Sequence, residues 1–147
     1  MAKGCWAVGF LFLAAWATAQ APTEPALPVA SMKQLMVDLI HPASNEILLL
    51  VYRGGPKDEA EWAAVRRGAL TLAESGNLLA IRSRAPAGPD WMKDAKLLAD
   101  AGAAAYKAAQ AKDGTELARQ AERIDASCTV CHRQFRPDVF PREGGSK

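Results

Sequence analysis

Two clusters of proline and glycine divide this chain. Arg53-Gly54-Gly55-Pro56 and Ala85-Pro86-Ala87-Gly88-Pro89 are strong backbone breaks. Beside and between them, apolar residues recur with the period of an α-helix. Ser31 with Gln34 forms a capping-box pattern. Met32, Leu35, Met36, Leu39 and Ile40 then make one stripe, with Ile47, Leu50 and Val51 beyond it. Pro42 has no N–H to donate, so the spacing predicts a helix over 31–52 with a kink at that point. Asp58 and Glu61 open a second helical face through Trp62, Val65, Ala69, Leu72, Ala73 and Leu79, ending near Ser83. Gly68 and Gly76 lie inside it, where each costs about 1 kcal/mol relative to alanine. Close approach of a neighbouring helix would account for them, as would a prosthetic group against backbone. Asp90 caps a third face through Trp91, Ala95, Leu98, Gly102, Ala105 and Ala109. Asp113 with Glu116 opens a fourth, Leu117, Ala121, Ile124, Cys128, Cys131 and Phe135, closed by Arg136-Pro137. Four helices with short links predict an all-α chain folded as an antiparallel four-helix bundle. Abundant Ala and Leu and few β-branched residues agree with that fold class.

The first 19 residues read differently. Lys3 supplies a positive start, Cys5 to Trp16 an apolar run, and Ala17-Thr18-Ala19 the small residues that signal peptidase requires. The pattern predicts a signal peptide over 1–19, a proline-rich leader over 20–30, a folded domain over 31–137 and an irregular tail over 138–147. No segment after the signal reads as apolar enough to cross a bilayer, so the mature protein is expected soluble in the periplasm. Eighteen Lys and Arg against sixteen Asp and Glu leave a formal charge of +2. That balance is too small to point to nucleic acid, and it outlines no docking patch for a partner.

Cys128-Thr129-Val130-Cys131-His132 is C-x-x-C-H, the attachment pattern for haem c. Two thiols three apart on a helix share a face and can both reach the vinyl groups of one porphyrin. The histidine that follows can then reach the iron. A zinc site would need two further ligands, and His41 is the sole other histidine. A redox dithiol belongs at the N-terminus of a helix, whereas this pair sits near the end of one. All four methionines (Met1, Met32, Met36 and Met92) precede His132, so a methionine ligand has to come from upstream.

In CTVCHRQFR, residues 128–136, behind about 100 residues of helical pattern, the chain resembles the class II c-type cytochromes, the cytochrome c-prime family and its low-spin relatives. The resemblance covers 31–137. It implies one covalent haem c in the bundle core near the C-terminal end of the fourth helix. Cys128 and Cys131 would carry the thioether bonds, His132 would be the proximal ligand and Arg136 would lie near the haem edge. It also implies a distal residue from the first helix, and dimers through bundle faces.

Met36, deeper along the helix, is the first candidate for the sixth ligand, and Met32 the second. His41 is a weaker one, pointing off that spoke beside Pro42. Met92 reads as core. Phe135 follows the motif and can pack on the porphyrin; Tyr52 and Tyr106 read as core or rim. Trp62 and Trp91 read as bundle anchors with their indole N–H groups near water, and Arg66, Arg67 and Arg136 as partners for haem propionates. A His/Met iron would make the protein a one-electron carrier for an unidentified redox partner, with no enzymatic activity. With Met36 unbound, a five-coordinate haem would bind nitric oxide or carbon monoxide instead.

Overall fold

The computed structural model describes residues 27–138, so the signal, most of the leader and the tail beyond Asp138 lie outside the described residues. These are all-helical with no strand among them, in four helices: α1 (Met32–Tyr52), α2 (Glu59–Leu79), α3 (Pro89–Ala111) and α4 (Gly114–Phe135). Every α1, α2 and α4 start is capped as the residues suggest. Ser31 and Gln34 form a reciprocal box, the Ser31 N–H donating to Gln34 Oε1 at 3.0 Å and the Gln34 N–H to Ser31 Oγ at 3.2 Å. Asp58 accepts from the Glu61 N–H, and Asp113 from the Glu116 N–H, both at 2.9 Å. Asp90 does not cap α3. Gly88 holds that position with Pro89 behind it, and Asp90 accepts from Gln134 Nε2 at 3.1 Å. Helix α2 ends at Leu79, not Ser83, where side chains take its last carbonyls: the Arg84 guanidinium donates to that of Leu78 and the Trp91 indole to that of Leu79.

Helix α1 departs most from a simple periodic reading. It is continuous through Pro42, and the strain falls upstream in a π-helical segment, Leu35–Ile40. The His41 N–H donates to the Met36 carbonyl, five residues back. A regular turn would press the proline ring on the carbonyl of Asp38, and widening the preceding turn is one way to relieve that. The wider turn changes the stripe. Leu35 and Ile40, five apart, are buried, whereas Leu39 is exposed. By length and composition α1 is also apolar enough to cross a membrane or serve as a signal sequence, which corrects the expectation that no later segment is. In the fold it is a bundle helix, with Leu35, Ile40, Ile47 and Leu50 buried.

The core runs along the four stripes: Val65, Ala69, Leu72 and Leu79 of α2, Trp91, Ala95, Leu98 and Ala105 of α3, and Leu117, Ala121 and Ile124 of α4 are all buried. Close helix approach explains the internal glycines. A Cβ on Gly76 would stand 2.7 Å from the Ala99 nitrogen and Cβ, and one on Gly68 3.1 Å from the Ala43 carbonyl oxygen. Three side chains sit elsewhere than expected. Met92 is exposed because it lies one residue, about 100° of helix, from the buried Trp91. Tyr52, in the last turn of α1, is 89% exposed, neither core nor rim. Trp91 is buried, and its indole N–H donates to the Leu79 carbonyl at 2.8 Å and not to water.

Candidate functional site

The amphipathic stripe of α4 brings the C-x-x-C-H residues to the inner side of the bundle at its C-terminal end. Cys128, Cys131 and His132 are half-buried and line one small apolar cavity. All four helices contribute to its wall: Met36 and Ile40 from α1, Leu79 from α2, Asp94 and Leu98 from α3, Ser127 and the motif from α4. Its volume is about 30 Å³, room for about two water molecules. The structure therefore joins Met36 to the motif across some 90 residues of intervening chain. Met32 packs on the core outside this wall.

Both thiols are free. Burial raises the Cys128 pKa, and it pushes Cys131 up to about 11, assisted by the charges of Asp94 and Cys128. Both are neutral thiols at pH 7. This is the reverse of a redox dithiol, whose thiolate is stabilised at a helix N-terminus. Burial, followed by the charge of Arg136, lowers the His132 pKa, which favours the neutral imidazole that can bind a metal.

Asp94 escaped the sequence reading. It is 4% exposed, and its Oδ2 has no hydrogen-bond partner. Burial, then the neighbouring Asp90 charge, raises its pKa. The signal was present: an acid three residues after Trp91 and beside Ala95, on the stripe that faces the core. Ser127, also buried, donates to the Ile124 carbonyl at 2.7 Å.

Other candidates stand back from the cavity. Phe135 packs edge-on against Trp91, with ring centroids 5.0 Å apart. Arg136 is exposed, and its backbone N–H closes α4 on the His132 carbonyl at 2.8 Å. Arg66 is held by Glu59 at 2.7 Å, towards the opposite end of α2. Arg67 lines a separate surface groove between α1 and α2, and His41 is exposed on α1. Trp62 is half-buried against the core. Among the described residues, no three His, Cys, Asp or Glu side chains are grouped to hold a metal ion by themselves.

No protein-family model matches the chain, and neither a curated protein nor a solved structure is significantly similar to it.

Proposed function

We propose that this protein is an exported, four-helix c-type cytochrome that carries one covalent haem and transfers single electrons. The observation that carries the reading is the shared wall of one cavity, where Met36 of α1 meets Cys128, Cys131 and His132 of α4. The donor set suits the group: two neutral thiols for thioether bonds, a neutral imidazole and a thioether sulfur. In this reading Cys128 and Cys131 would attach the haem, His132 and Met36 would bind its iron, and the group would supply a one-electron couple of raised potential. The fit is one of chemistry more than of volume. Sites for organic ligands measure about 300–1,000 Å³, so α1 and α4, the least extensively packed neighbours in the bundle, have to part to admit a macrocycle.

An antiparallel arrangement is part of the same proposal, and contacts along the helices support it. Going up α2 from Ala69 to Gly76 to Leu79, the partners on α3 step down from Gly102 to Ala95 and Ala99 to Trp91. Likewise Trp91 and Asp90 at the start of α3 meet Phe135 and Gln134 at the end of α4.

Absorption spectra of the purified protein, oxidised and reduced, with and without carbon monoxide, test the function. A pigment that survives acid–acetone extraction, with a low-spin reduced spectrum unmoved by carbon monoxide, is the expected result. Met36→Leu should open the iron to carbon monoxide, and Met32→Leu should not. A colourless protein from a host competent in haem attachment would overturn the proposal. A wild-type spectrum that shifts at once with carbon monoxide would transfer the function to gas binding.

A further inference from the structure

We infer that the cavity end of the bundle is a docking surface for a partner protein with a carboxylate-rich face. The inference rests on the electron-transfer reading and names the partner chemistry for it. Three stretches of chain form that end: the entry to α1, the α2–α3 connection with the start of α3, and the exit of α4. They bring together six cations, Lys33, Arg82, Arg84, Lys93, Arg133 and Arg136, against two acids outside the core, Asp90 and Asp138. The overall formal charge of +2 conceals this local excess.

Pairing sharpens the contrast. Towards the opposite end, Arg53 pairs with Glu61, while Arg66 and Lys112 both pair with Glu59. Arg119 pairs with Glu116 in the first turns of α4, also towards that end, and Lys96 pairs with Asp100 within α3. Lys33, Arg82, Arg84, Lys93 and Arg136 take part in no ion pair seen among the described residues. Arg84 donates instead to two backbone carbonyls, of Leu78 at 2.9 Å and Ala30 at 2.7 Å, which fix its position without neutralising it. Met92 is 47% exposed beside Lys93, an apolar contact within the cationic rim. A set of like charges left uncompensated at one end steers and orients an oppositely charged partner.

The test uses the full exported protein and variants that change its net charge equally in two places. Arg82→Glu with Lys93→Glu reverses charge at the cavity end, and Lys57→Glu with Lys107→Glu reverses it elsewhere; all four side chains are exposed. An oligoglutamate peptide, titrated at low salt, is the first probe. The cavity-end pair should weaken binding about tenfold, and the other pair should change it far less. Equal losses in the two pairs would overturn the inference, because net charge alone would then explain binding. This arm requires no haem, so a colourless protein fails the functional reading and leaves the surface tested.

The second probe is electron exchange with hexacyanoferrate and with hexaammineruthenium, from about 0.01 M salt, where screening reaches about 30 Å, to about 1 M, where it reaches about 3 Å. The anion should react more slowly as salt rises and the cation faster, both trends weakening in the cavity-end variant. Unchanged trends in that variant would also overturn the inference. So would tighter binding to phosphatidylglycerol vesicles than to the peptide, since that outcome makes the partner an anionic lipid surface.

Discussion

Substituting Gly102 by alanine tests the packing of α2 against α3 directly. A Cβ built on Gly102 would stand 2.5 Å from the Ala73 nitrogen and 3.0 Å from the Ala69 carbonyl oxygen and Ala73 Cα. All three are backbone atoms, so no change of rotamer makes room. Comfortable contact begins at about 3.5 Å, and the two helices must separate by about 1 Å. In a tightly packed interior that costs about 1–3 kcal/mol. Replacing a mid-helix glycine by alanine returns up to about 1 kcal/mol of helix propensity. The net expectation is a loss of about 1–2 kcal/mol, or roughly 4–8 °C in Tm for a domain of this size. Gly114→Ala is the matched control. It opens α4, and a Cβ there meets nothing within 4 Å, so the same substitution should gain about 0.5 kcal/mol. Thermal and urea unfolding followed by circular dichroism would read both. A Gly102→Ala protein as stable as the wild type would show that α2 and α3 do not approach so closely.

Asp94→Asn should raise stability at pH 7 by about 1–3 kcal/mol, the penalty of an unpartnered buried carboxylate. Its folded pKa is raised, so the wild type is favoured at low pH. That advantage is lost as pH climbs from the unfolded value of about 3.9 through the raised folded value. Unfolding curves should therefore coincide near pH 4 and separate towards pH 7, and a constant difference across that range would contradict the assignment. Asp113→Ala removes the cap of α4 and should cost about 1 kcal/mol in urea unfolding. Trp91→Phe keeps a ring against Phe135 but strips the Leu79 carbonyl of its buried donor. It should cost about 1–3 kcal/mol, with an unchanged far-ultraviolet spectrum.

What the residues disclosed in advance was local. Capping pairs at Ser31, Asp58 and Asp113 act within one turn, and the glycine–proline breaks act within three or four residues, so the four helices could be read from them. The spacing of the two thiols and the histidine is likewise local, and it places all three on the inner side of α4. Depth along the helix distinguishes Met36 from Met32 in the sequence, and the cavity wall includes the first and not the second. What stayed hidden depended on neighbours. Leu39 obeys the period of 3.6 residues but is turned outward by a local change of period. Met92 and Tyr52 are apolar enough for a core that has no place for them. Asp94 is costly where it lies, and propensity rules expect acids at the surface. The charge balance misled for a related reason: a sum over the chain carries no information on where uncompensated charges collect.

The widened turn of α1 works as a slipped gear tooth. One additional residue in a turn rotates everything on its N-terminal side by about 100° relative to an unbroken helix. The two halves of α1 therefore hold separate bearings on the bundle. Ile47 and Leu50 mesh with the core at one setting, while at another Leu35 is turned into the core and Met36 to the cavity. Deleting Val37 would re-engage the tooth and force a choice: either Met36 swings off the cavity or the C-terminal half loses its mesh.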